Sequence, residues 1–139
     1  VTVSSLYETV PKGFDGQPEF LNAACRAWTQ LDPFELLRTL RDIQADVGYG
    51  SVFTNGPRVI DIDVLTYGLL VMNAPSLKVP HPRMVDRAFV MMPLAEIAPE
   101  AYHPVLGETF GALSHRIPDS GQIRMIERNR NCLSGVGVR

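Results

Sequence analysis

Asn55-Gly56-Pro57-Arg58-Val59-Ile60-Asp61-Ile62-Asp63-Val64-Leu65 sets two acids one residue apart inside an apolar, β-branched run. Side chains alternate faces along a strand, so Asp61 and Asp63 share one face while Val59, Ile60, Ile62 and Val64 read as strand formers. Neighbouring carboxylates repel one another and resist burial, so the pattern asks for a positive counter-charge. A divalent cation meets that need. Mg2+ takes a few carboxylate oxygens, keeps several waters and binds phosphate oxygens, a geometry that a same-face aspartate pair can supply. Gly56-Pro57 bends the chain just upstream, and Arg58 then offers a guanidinium suited to phosphate. A solvated surface strand also alternates acids with apolar residues, so on these residues alone both readings stand.

The rest of the chain narrows the choice. With 139 residues and 45% hydrophobic content it has the size and the apolar material for one soluble globule. Thirteen basic against fifteen acidic residues give a formal charge of −2, which removes any global field directed at nucleic acid or an anionic membrane. Any anion binding must therefore be local. Cys25 and Cys132 lie far apart and fit no C-x-x-C spacing, which argues against a zinc site or a disulfide scaffold and agrees with a reducing cytoplasm. No apolar run is long enough to cross a bilayer as a helix.

Residues 1–9 alternate like a strand and run into a Gly- and Pro-rich loop over residues 10–18. Residues 20–29 read as a second strand, with helix as the competitor because of the alanines. Asp32-Pro33-Phe34-Glu35 opens a helix with a capping residue, a first-turn proline and a glutamate placed to reach back. Phe34, Leu37, Leu40 and Ile43 are expected on one face of it, and Gly48 and Gly50 to end it. The acid-bearing strand is expected to turn at Tyr67-Gly68 and pair with a return strand over residues 69–72. Residues 84–96 read as a helix interrupted by Pro93 and ended before Pro99, residues 109–115 as a short helix and residues 122–126 as a last strand. The tail over residues 127–139 is polar and reads as disordered.

Four blocks in order resemble the 6-hydroxymethyl-7,8-dihydropterin pyrophosphokinase family. They are Ser4-Ser5-Leu6-Tyr7-Glu8-Thr9 with Pro11, then Gln17-Pro18-Glu19-Phe20-Leu21-Asn22-Ala23-Ala24, then Gly56-Pro57-Arg58-Val59-Ile60-Asp61-Ile62-Asp63. The last is Val79-Pro80-His81-Pro82-Arg83-Met84, followed by Arg87, Phe89, Pro93, Leu94, Glu96, Ile97, Ala98 and Pro99. The resemblance covers residues 1–126 as one pyrophosphokinase-like domain. It implies an α+β fold, a ferredoxin-like α/β sandwich with a mostly antiparallel sheet. It also implies transfer of diphosphate from ATP to 6-hydroxymethyl-7,8-dihydropterin, with two Mg2+ ions held by Asp61 and Asp63, in a cytoplasmic monomer.

The other roles follow from the same resemblance. Arg58, His81 and Arg87 match positions that touch ATP phosphates. Phe20 and Phe89 match the two aromatics that clamp the flat pterin, an arrangement favoured because offset stacking adds to area burial. Asn22 matches a residue that reads the polar edge of the ring, and Thr9 and Lys12 match the loop whose backbone groups bind it. Without the resemblance, both phenylalanines read as core residues, His81 as a loop residue bonded to backbone, and Arg87 as a solvated helix residue.

Three departures bear on the reading. The family's opening strand, Gly-Ser-Asn-type turn and helix have no counterpart here, so the chain is expected to be part of a longer polypeptide, or to receive that strand from another chain. Tyr49, Ser51 and Asn55 stand where the family usually carries two arginines and an aromatic in the loop that closes over ATP, which predicts slower turnover. The tail over residues 127–139 is extra. A non-catalytic homologue that binds nucleotide or pterin, or a structural partner of a folate enzyme, is therefore the competing expectation. A ferredoxin-like RNA-binding module is a distant third, for want of a basic patch with interleaved aromatics.

Overall fold

The computed structural model describes residues 1–9, 20–48, 60–118 and 123–127, in the order β1 (Thr2–Val3), β2 (Leu6–Thr9), β3 (Phe20–Asn22), β4 (Cys25–Arg26), α1 (Pro33–Val47), β5 (Met72–Asn73), β6 (Lys78–Val79), α2 (Ala88–Ile97), α3 (Phe110–Arg116) and β7 (Ile123–Glu127). All strand pairing among these is antiparallel, and the class is α+β. The chain divides into two units, one formed by Val1–Trp28 with Pro82–Arg139 and the other by Thr29–His81.

In the first unit the expected opening strand is cut in two by a bulge, and so is the strand expected over residues 20–29. Val3 faces Cys25 and Tyr7 faces Asn22, so three residues on one side oppose two on the other. Ser4 stitches the irregularity: its N–H donates to the Ala24 carbonyl, and its hydroxyl accepts from the Ala24 N–H, both at 2.8 Å. β2 lies between β3 and β7. Its Glu8, 6% exposed, sits directly opposite Arg124, whose Nε donates to Glu8 Oε2 at 2.8 Å. A buried carboxylate needs such a partner.

Helix α2 is apolar almost all round, as a buried helix should be, and Met91, Pro93 and Leu94 are buried. Pro93 lies inside it instead of interrupting it; the expected residue 84–96 helix is split further upstream, where a 3-10 turn over Met84–Asp86 gives way to Arg87 in an extended conformation. Helix α3 is capped by Thr109, whose hydroxyl accepts from the Ala112 N–H at 3.2 Å. Gly111 lets α3 approach the end of α2: its N–H donates to the Pro99 carbonyl at 3.0 Å, and a Cβ there would stand 3.1 Å from that oxygen. Tyr7, Ala24, Met84, Met91, Leu94, Ala98, Phe110 and Leu113 form the buried apolar set of this unit.

The second unit opens with α1 as the sequence predicts. Asp32 Oδ1 accepts from the Glu35 N–H at 2.9 Å, and Glu35 Oε2 accepts from the Asp32 N–H at 3.1 Å, a complete capping box, while Gly48 ends the helix. Its less exposed stripe is Pro33, Leu36, Leu37, Leu40 and Gln44, however, and Phe34 and Ile43 are exposed at 44% and 42%. Steps of three residues fall short of a full turn by roughly 60° each, so a row from 34 to 43 walks around the helix, whereas 36, 40 and 44 stay together. The predicted hairpin also differs. Residues 60–66 pair with no described strand, and the hairpin is β5 with β6, Met72 opposite Val79 and Asn73 opposite Lys78.

Candidate active site

Asp61 and Asp63 are both exposed, while Ile62 and Val64 between and after them are half-buried. The alternation expected of a strand is thus kept without a ladder, and both carboxylates are presented together to solvent. Hydrogen bonds at Ile62 and Leu65 tie the segment to the rest of its unit. The Ile62 N–H, between the two acids, donates to Gln44 Oε1 of α1 at 2.8 Å. Downstream, the Leu65 carbonyl accepts the His81 N–H at 2.7 Å, which ties the histidine's backbone to the same segment. His81 itself is half-buried and follows a cis Val79–Pro80 peptide.

No group of three or more His, Cys, Asp and Glu side chains capable of holding a metal occurs among the described residues. Two exposed carboxylates would leave most of a coordination sphere to water and to oxygens of a bound phosphate. That sharing suits Mg2+, which keeps waters and seldom takes an all-protein cage.

The other group of expected site residues lies in the first unit. Asn22 Nδ2 donates to Thr9 Oγ1 at 2.8 Å across the β2–β3 pair, so the two side chains stand on one face and the amide is oriented by the hydroxyl. Tyr7, two residues before Thr9, shares that face. Phe20 pairs with Thr9 through the backbone register. On α2, Phe89 is half-buried and Arg87 places its guanidinium carbon 5.5 Å from the centre of the Phe89 ring, a cation–π distance. Arg87 is the residue at the N-terminal cap of α2, and its carbonyl accepts from the Val90 and Met91 N–H groups at 3.0 and 2.9 Å. The structure thus assembles Thr9 with Asn22, Arg87 with Phe89, and Asp61, Asp63 and His81 on one tethered segment. Lys12 and Arg58, the Phe20 side chain and the loop over residues 49–55 lie outside the described residues.

The family model described as 7,8-dihydro-6-hydroxymethylpterin-pyrophosphokinase matches residues 1–99. The chain belongs to that family. The matched span contains the aspartate pair, His81, Arg87, Phe89 and all of α2, and stops before α3 and β7. A folic acid synthesis protein FOL1 from Dictyostelium discoideum is 40% identical over 125 residues, 90% of this chain and 19% of that protein. A 2-amino-4-hydroxy-6-hydroxymethyldihydropteridine pyrophosphokinase from Bacillus subtilis is 45% identical over 95 residues, 68% of this chain and 57% of that enzyme. Its counterpart from Aquifex aeolicus is 43% identical over 103 residues, 74% and 64% of the two chains. The chain spans less than two thirds of the length of each of these relatives. No helix among the described residues is long and apolar enough to cross a membrane.

Two residues that bond to elements carrying the expected site residues have no role in the sequence reading. Gln44 was hidden because a glutamine on a helix is ordinarily solvated, and its bond to Ile62 joins positions far apart in the chain. Glu96 gave a signal: it is the one charged residue in Ala88–Ile97, and a lone acid in an apolar helix must find donors.

Proposed function

We propose that this chain carries out the reaction for which its family is named: Mg2+-dependent transfer of diphosphate from ATP to 6-hydroxymethyl-7,8-dihydropterin, giving AMP and the pterin diphosphate used in folate synthesis. The observation that carries the reading is the exposed, same-side pair Asp61 and Asp63 in a chain of this family. In this reading the pair holds two Mg2+ ions, whose contribution when bound is to neutralise the triphosphate and favour attack at its β-phosphorus.

The remaining steps belong to the protein's own residues, with Thr9 and Lys12 acting through the backbone of their loop. Arg58, His81 and Arg87 hold phosphate oxygens and stabilise charge that develops during transfer. Phe20 and Phe89 stack the pterin, while Asn22, Thr9 and Lys12 fix its edge and so aim the hydroxymethyl group. Arg87 beside Phe89 sets a phosphate-binding cation next to a ring-binding aromatic, as a reaction between a phosphate and a pterin alcohol requires. The hydroxyl oxygen bonds to the β-phosphorus, the bridge to the α-phosphate breaks, AMP leaves with the bridging electrons, and the hydroxyl proton passes to solvent. We place residues 1–126 in a ferredoxin-like α/β sandwich acting as a monomer in the cytoplasm; the α+β class and antiparallel pairing support the first part.

Calorimetry with a non-hydrolysable ATP analogue and Mg2+, followed by an assay of AMP release in the presence of the pterin alcohol, tests the reading. Binding of both ligands with AMP release is expected. Binding without AMP release would contradict catalysis and leave a binding homologue.

A further inference from the structure

The bulge between β1 and β2 turns the backbone N–H of Ser5 out of the ladder, and Ser5 is only 1% exposed. A buried N–H has to be paired. Its acceptor is Glu96 of α2: Oε2 takes the Ser5 N–H at 2.7 Å and the Ser5 hydroxyl at 3.0 Å, while Oε1 takes the Tyr7 hydroxyl at 2.6 Å. One carboxylate thus receives three donors, two from Ser5 in the bulge and one from Tyr7 on β2, and charge-assisted bonds of this length are the strong, directional kind. Glu96 lies seven residues after Phe89, two turns along the same face of α2. Tyr7 lies two residues before Thr9 on the same face of β2 and opposite Asn22.

We propose that Glu96 is a positioning residue for the pterin: by gripping Ser5 and Tyr7 it sets where α2, which carries Phe89, lies against β2, which carries Thr9 and orients Asn22. The inference rests on the proposed function, since it needs Phe89, Thr9 and Asn22 to bind one ligand. Hydrophobic packing of Met91 and Leu94 holds the helix down but tolerates sliding, whereas three bonds to one carboxylate fix its position along the strand. Glu96 touches no reacting group and acts only through the elements it joins.

The test compares the unmodified chain with Glu96→Ala, Glu96→Gln and Tyr7→Phe by calorimetry, using 6-hydroxymethylpterin and, separately, a non-hydrolysable ATP analogue with Mg2+. Circular dichroism confirms folding at the assay temperature. Glu96→Ala is expected to weaken pterin binding about tenfold while nucleotide binding changes less than about twofold. Glu96→Gln, whose carbonyl oxygen can accept both Ser5 donors while its NH2 donates to the Tyr7 hydroxyl oxygen, is expected to restore pterin affinity to within about threefold. Where Glu96→Ala does not fold, Tyr7→Phe removes one of the three bonds and is expected to cost about threefold in pterin affinity alone. Equal losses for both ligands, or a lowered melting temperature with pterin affinity unchanged, would overturn the positioning role. An unmodified chain that binds nucleotide but no pterin would overturn the proposed function, and this inference with it.

Discussion

The residues proposed to bind the pterin and those proposed to bind phosphate are held in opposite ways. Thr9, Asn22 and Phe89 stand on a strand pair and a helix whose neighbours Tyr7, Met91 and Leu94 are buried, and a three-donor carboxylate ties these elements together. Asp61 and Asp63 stand on a segment without a described strand partner, to which Gln44 bonds at the Ile62 N–H and the His81 backbone bonds at the Leu65 carbonyl. A flat ring is recognised by shape, which demands a pre-set slot. Phosphates and their ions are recognised by charge, which acts over a longer range and lets mobile waters complete the geometry.

If that contrast is right, removing charge on the phosphate side should destroy chemistry and spare stability. Asp61→Ala or Asp63→Ala is expected to lower Mg2+-dependent AMP release at least about a thousandfold, and Asp63→Ala to leave the melting temperature unchanged or raised, because like-charge repulsion is relieved. A near-normal rate in either variant would remove the metal role. On the pterin side, Phe89→Ala is expected to weaken pterin binding about tenfold or more and ATP-analogue binding little, since the lost stacking face serves only the ring. Equal losses would count against the slot.

Smaller effects sharpen the comparison. Gln44→Leu takes away the acceptor for the Ile62 N–H, so it should cost about 1 kcal/mol of stability and raise the KM for Mg2+-ATP several-fold without changing the KM for pterin, as steady-state kinetics would show. An effect confined to pterin would place the acids on the wrong side of the contrast.

The smallest effect concerns the turn between α2 and α3. His103 is buried, and its Nδ1 accepts from the Val105 and Leu106 N–H groups at 3.2 and 3.1 Å, while its backbone N–H donates to the Glu108 carbonyl at 2.9 Å. Burial pushes its pKa below the ordinary 6.5. The unfolded chain therefore binds the proton more readily than the folded one, so the stabilisation is complete above pH 6.5 and declines as the pH falls through 6.5 towards the lower folded value. Melting curves should lose a few degrees between neutral and mildly acidic pH, and His103→Asn should flatten that slope with no effect on either ligand.

What was legible in the sequence is what local chemistry decides. Asp32 with Glu35, Pro33 at the first turn and Gly48 at the end of α1 each act within a few residues, and each is found in its place. The same-side display of Asp61 and Asp63 was legible too, because alternation is a property of the segment itself. Its pairing was not, since a ladder depends on a second, distant segment. The bulge at Ser4 and Ser5 was hidden for the same reason: a one-residue shift of register shows only when Tyr7 is set against Asn22 and Val3 against Cys25. Glu96 could have been found by asking what a single acid does in an apolar helix.

The most direct test of the central claim counts metal ions at the aspartate pair. Mn2+, a paramagnetic stand-in for Mg2+, is titrated into the full chain with a non-hydrolysable ATP analogue, followed by electron paramagnetic resonance, and compared with Asp61→Asn. Two ions bound to the unmodified chain, with at least one lost in the variant, is the predicted result; equal metal binding by the two proteins would contradict it.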